Sequence, residues 1–171
     1  TLDVIRYLGM EPEVSKDKFS DARQEELTGM LYQTAMQFYK RKQQAMVQKV
    51  LPLIKDLHAN RGETLENVVV PFTDGRKGLN IVVNLQKAVE TDGREVALAI
   101  ERTVSLMIID DHWKDHLRNM DDLKQAVQGA VYEQKDPLLI YKFEAFKMFR
   151  EMLSELNMEI AGFLFKGNVP L

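Results

Sequence analysis

Two long apolar stripes, interrupted at Gly129 and restarted at Asp136-Pro137, limit the folds open to this chain more than any other feature. The first passes through Ile100, Val104, Leu106, Met107, Trp113, Leu117, Met120, Leu123 and Val127, in a helical pattern that begins at Glu95. The second passes through Leu139, Phe143, Phe146, Phe149, Leu153, Leu156, Ile160 and Phe163 in steps of three and four. Such spacing marks one face of an α-helix. Its restart is well defined: a residue before proline is pushed to the β region that an N-cap needs, and proline is favoured at the first helical position. Helices joined by about eight residues fold back antiparallel. The second alone reaches about 40 Å at 1.5 Å per residue. The expected product is a stiff stem with an exposed tip at residues 128–135, and with Trp113 and the phenylalanines as its core.

Upstream, a short amphipathic helix around Asp3 to Leu8 ends at Gly9, and Glu11-Pro12 blocks its continuation. From Ser20 or Asp21, both good N-caps, a helical pattern runs through Leu27, Met30, Leu31, Thr34, Phe38 and Met46 towards His58. Pro52 inside it is expected to kink or split the helix. The chain then changes character. Val68 to Phe72 and Leu79 to Val83 are β-branched runs around the turn Thr73 to Gly78, which reads as a β-hairpin at about residues 67–85. Two strands alone are marginal in water, so this hairpin must lie on the helices, and Pro71 suits a sheet edge. Asp92-Gly93 closes the region. The fold class is mainly α: a helical region carrying a small β-hairpin, then a long antiparallel two-helix hairpin.

The totals narrow the function classes. A chain of 171 residues, 45% of them hydrophobic, buries a core. A net charge of -3 argues against a nucleic-acid partner, and Lys40-Arg41-Lys42 with Lys49 reads as a solvated helix surface. There is no cysteine, hence no disulfide or thiolate chemistry. No apolar run approaches the ~20 residues that span a bilayer, and the first residues lack the pattern of a signal peptide. The expected location is cytoplasmic. His112 and His116 are four apart but lack the glutamate of a His-Glu-x-x-His site, so no metal is expected and His116 reads as a structural hydrogen-bonding residue. Asp110, Asp111, Asp115, Asp121 and Asp122 spread over several helix faces. No phosphate-binding Gly-x-x-x-x-Gly-Lys run occurs, so no catalytic residue is expected.

Several ordered blocks carry a family resemblance. Ile109-Asp110-Asp111-His112-Trp113-Lys114-Asp115-His116-Leu117, Met120-Asp121-Asp122-Leu123-Lys124-Gln125, Tyr132-Glu133-Gln134-Lys135-Asp136-Pro137 and Tyr141-Lys142-Phe143-Glu144-Ala145-Phe146 resemble the C-terminal scaffold segment of the SecA preprotein translocase motors. The resemblance implies a helical wing domain over 1–98, a helical scaffold with the two-helix finger over 99–165, and a tail over 166–171. It implies that the tip, with Tyr132, Val131, Ala130, Gln134 and Lys135, contacts unfolded preprotein and the SecYEG channel. It further implies that Trp113, Lys114, His116, Met120 and Tyr141 pack on the motor domains of the same parent chain and restrain ATP hydrolysis. ATP and magnesium then belong to those domains, and membrane contact is peripheral, at a bacterial inner membrane. Two departures stand out: Gly129-Ala130-Val131 replaces the family's Leu-Arg-Gly, and Ile140 stands where glutamate is common. A different class of reading is a stand-alone helical scaffold that binds a partner through an apolar groove. Exposure of the stem separates the two: a finger keeps it dry, a groove binder opens it.

Overall fold

The structure, a computed structural model, describes residues 2–12, 22–62, 64–128 and 136–170. It is mainly helical, with one two-stranded sheet among the described residues. Helix α1 (Leu2–Leu8) ends where Gly9 turns to φ 63, a left-handed conformation that costs glycine little. Helix α2 (Gln24–Arg61) is continuous through Pro52, so the expected split does not occur, although the ring removes one amide donor. Its start falls after the expected Ser20 or Asp21, which lie outside the described residues. Arg23 takes the N-cap position in extended geometry, and its N–H donates to the Glu26 carboxylate at 3.4 Å. Glu25 and Glu26 also suit the positive end of the helix dipole.

Strands β1 (Asn67–Thr73) and β2 (Gly78–Asn84) pair antiparallel, with Val69 opposite Val82, Val70 opposite Ile81 and Phe72 opposite Leu79. The period of two divides the faces: Val68, Val70, Phe72, Ile81 and Val83 are buried, while Val69 and Val82 face outward. At the turn the Asp74 carboxylate accepts the N–H groups of Arg76 at 2.9 Å and Lys77 at 2.7 Å. Thr73 exchanges both backbone bonds with Asn168, at 2.9 and 2.7 Å, on the edge away from β2. Pro71, two residues back, faces that same edge, where its missing N–H breaks no ladder bond.

A short helix α3 (Leu85–Glu90) follows directly, capped by the Asn84 side chain, which accepts the Lys87 N–H at 2.9 Å. Then come α4 (Arg94–Gln128) and α5 (Pro137–Lys166). The chain divides into two compact units, one of Thr1–Thr103 with Ala161–Leu171 and one of Val104–Ile160. In the first, the buried side chains include Val50 and Ile54 of α2, the inner face of the hairpin, Leu85 and Ala88 of α3, Val96 and Ile100 of α4, and Phe163 of α5. The hairpin therefore does lie on helices. Phe72 meets Phe163 edge to face, with centroids 5.6 Å apart.

Polar contacts complete this unit. The Lys42 ammonium donates to the carbonyls of Leu164, at 3.1 Å, and Phe165 near the C-terminus of α5, where no intrahelical donor remains. The Tyr39 ring stacks on Phe165 with centroids 5.0 Å apart, and its hydroxyl donates to Glu101 at 3.0 Å. Burial first, then the charge of Glu101, pushes the Tyr39 phenol well above its ordinary range. Burial pushes Lys42 the other way, down to about 8 from 10.5. The native state thus holds fewer protons at Lys42 than the unfolded chain between those values, so this group adds stability as pH rises through that window. Urea unfolding is expected to show the wild type gaining on Lys42→Met between about pH 8 and about pH 10, with no such gain below it.

Candidate functional site

Within the second unit, α4 and α5 run antiparallel. His112 Nε2 lies 2.8 Å from Glu159 Oε2, and the His116 ring lies 5.8 Å from that of Phe149, so a later residue of α4 meets an earlier residue of α5. The expected antiparallel pairing of the two helices is therefore present. The tip residues expected to touch a moving chain, Ala130, Val131, Tyr132, Gln134 and Lys135, lie outside the described residues.

The stem corrects one expectation. Trp113 is 46% exposed, Phe143 67% and Phe146 61%, with Leu106, Leu117 and Leu139 also open. They are not a core. Two helices bury only the seam between them, and an apolar stripe wider than a seam keeps its flank in water until a further element covers it. Buried side chains of this unit include Val104, Ile108, Val127 and Leu156. The open flank is continuous in sequence pattern from Leu138 and Leu139 to Phe149 and Leu153 on α5.

The residues expected to pack on motor domains divide by environment. His116 is 8% exposed, between the rings of Trp113, at 5.6 Å, and Phe149. Among the described residues it makes these ring contacts and not the hydrogen bond expected of it. Met120 and Tyr141 are half-buried. Lys114 is exposed and contacts Asp110 one turn back; that hydrogen bond, then the charge of Asp110, holds its pKa above the ordinary lysine value. Asp115 pairs with Arg118 at 2.8 Å. All five aspartates of this helix, Asp110, Asp111, Asp115, Asp121 and Asp122, are exposed. Among the described residues no group of three or more His, Asp or Glu is placed to hold a metal ion. No described helix is long and apolar enough to cross a membrane.

Sequence reasoning missed the partner of His112 and a row of carboxylates on α5, Glu151, Glu155 and Glu159. Their four-residue spacing was the available signal, because such residues stand one above another on a helix.

A helical unit carrying a β-hairpin, joined to a paired-helix unit with an open apolar face, defines a mainly helical wing-and-scaffold protein. A family model described as the SecA Wing and Scaffold domain matches residues 6–168. The chain belongs to that family. It is similar to the protein translocase subunit SecA of Christiangramia forsetii, with 46% identity over 168 residues, 98% of this chain and 15% of that protein. The corresponding subunit of Cytophaga hutchinsonii is 44% identical over 166 residues, 97% of this chain and 15% of that protein, and that of Flavobacterium psychrophilum is 45% identical over 168 residues, 98% and 15%. The chain therefore spans about 15% of the length of these curated relatives. No solved structure matches it.

Proposed function

We propose that this chain is the non-catalytic wing and scaffold of an ATP-driven protein-export motor. The open apolar face of α4 and α5 packs on the motor domains of the same parent chain and restrains their ATP hydrolysis. The tip around Tyr132 meets unfolded preprotein and the cytoplasmic mouth of a SecYEG channel, which puts the parent at the inner membrane as a peripheral protein. The observation that supports this reading is the match of residues 6–168 to the SecA Wing and Scaffold domain, and the exposure of Trp113, Phe143 and Phe146 supplies the face that docks. Such a face needs a cover, and most of the length of the relatives lies outside this chain. Its opening matches the mark of a groove binder, and the parent's own motor domains are the partner that the family relation favours.

Nucleotide chemistry belongs to that remainder. Asp74-Gly75-Arg76-Lys77-Gly78, the nearest approach to a phosphate loop, closes a β-hairpin, whereas a phosphate loop leads from a strand into a helix N-terminus. These residues do not fit ATP.

Trp113→Ala in the full-length parent tests the docking. Truncating a docked tryptophan loosens a face of this kind by about 2 kcal/mol. Basal ATP hydrolysis is expected to rise while the helical content stays unchanged. Unaltered hydrolysis in a folded variant counts against the proposed restraint.

A further inference from the structure

The two edges of the β-hairpin differ in how they are protected. On β1 the outer edge is covered at Thr73, whose N–H and C=O both bond Asn168, and is guarded by Pro71. The outer edge of β2 has neither. Gly78–Asn84 carries no charge and no proline, its pairing with β1 runs unbroken over all seven residues, and among the described residues the sheet ends there. Folded proteins blunt an edge of this kind with lysine, proline, a bulge or a cover, because its unpaired groups are a template for another extended chain.

The register shows which groups those are. In an antiparallel pair, residues opposite one another alternate between exchanging both backbone bonds and exchanging neither. Thr73 uses its groups on Asn168, which makes Thr73 with Gly78 a pair that exchanges neither. Pro71 with Asn80 and Val69 with Val82 are then of the same kind, while Ile81 bonds Val70. The bond from the Leu85 N–H to the Glu66 carbonyl, at 2.9 Å, falls on the same alternation. The N–H and C=O groups of Asn80 and Val82 therefore point away from β1, and among the described residues nothing bonds them. Both residues are exposed, Val82 to 60%. The ladder position that carries a guard on β1, Pro71, thus faces a free donor on β2, Asn80.

The chemistry of the edge selects its occupant. Main-chain groups in a row are complementary to another main chain in extended form, whatever its side chains. Beside the edge, the outward face presents Asn67, Val69 and Pro71 of β1 with Asn80 and Val82 of β2, all exposed and none charged. No group on that face repels a side chain of either sign, and the Val69–Val82 pair accepts an apolar one. A second copy of this chain is a poor occupant, because two free residues on a seven-residue strand bury far less than the about 1,200 Å² of a stable association. A partner that is held briefly and passed on needs no more.

We propose that β2 is a receiving edge for unfolded preprotein: an extended stretch of it joins the hairpin as a third strand and bonds the N–H and C=O groups of Asn80 and Val82. The proposal rests on the reading above that the parent handles unfolded chains, and it gives the wing a contact with cargo in addition to the tip. Recognition through the backbone suits a cargo whose side chains change at every step.

The test is an NMR titration of this chain, labelled with nitrogen-15, using acetyl-Thr-Val-Thr-Val-Thr-amide as probe and its fully N-methylated form, which keeps the side chains and has no N–H between them, as the match. Saturable shifts of the Asn80 and Val82 amides are expected with the probe and not with the match. Hydrogen exchange at both amides is expected to slow about tenfold when the probe stands about tenfold above its Kd. Asn80→Pro removes one outward donor, leaves the ladder to β1 whole, and is expected to weaken binding about tenfold or more at unchanged helical content. An equal response to the match, no saturable shift, or undiminished binding by Asn80→Pro overturns the proposal, and the match decides it even where the variant fails to fold. Shifts of these amides that follow protein concentration without the probe overturn preprotein as the occupant in favour of a second copy. In the full-length parent, hydrogen exchange over β2 is expected to slow when a preprotein is stalled in transit. Protection already complete without cargo overturns preprotein in favour of a strand of the parent itself. A crosslinker at position 132 reads the proposed function separately: preprotein adducts beside a silent titration sink the edge alone, and a saturable titration without adducts sinks the cargo reading and leaves the edge.

Discussion

Phe72→Ala is expected to destabilise the first unit by about 3–5 kcal/mol, the range for removing a fully buried phenylalanine. The ring is 2% exposed and contacts Phe163 at 5.6 Å, so it ties the hairpin to the end of α5. It also fills the space above Gly167, where an added Cβ would lie 2.3 Å from the ring. No small rearrangement refills such a void, because the groups around it are a sheet face and a helix end. Urea unfolding followed by circular dichroism measures the loss. A change below about 1 kcal/mol would mean that the hairpin is held by something other than this contact.

Gly93→Ala is expected to cost about 2–4 kcal/mol, from two separable causes. Gly93 has φ 83, and Asp92 before it φ 48, so the turn from α3 into α4 uses a left-handed pair. A Cβ there would also lie 2.4 Å from Val47 Cγ1 of α2, a stiff branched side chain. Adding Val47→Ala is expected to return the steric part and leave the backbone part. If the double variant is no more stable than Gly93→Ala alone, the crowding has been misjudged.

The paired helices were legible because apolar steps of three and four, sustained over about thirty residues, fit a long helix and little else. Asp136-Pro137 even marked the start of α5, which the structure has at Pro137. The hairpin was legible from two β-branched runs on either side of the turn Thr73 to Gly78. Helix α3 was not, since six residues are under two turns and show no period, and its Asn84 cap also reads as the end of a strand. The pairing of Thr73 with Asn168 joins residues far apart in sequence through one bridge, which leaves no local pattern.

The stem shows what periodicity withholds. A stripe tells that one face is apolar; it does not tell what lies over it. Trp113 and Phe146 have the spacing of a core and the exposure of a contact surface. His112 with Glu159 required the register between two helices, which no single helix encodes. The resemblance in contrast was carried by local blocks and was legible at once.

The most direct measurement is photocrosslinking from position 132, with the crosslinker replacing Tyr132 in the full-length parent and a preprotein stalled in transit. A finger that meets its cargo gives adducts to the preprotein or to the channel, and these disappear when the cargo is released. Adducts confined to the parent's own chain, unchanged by the presence of cargo, would contradict the account.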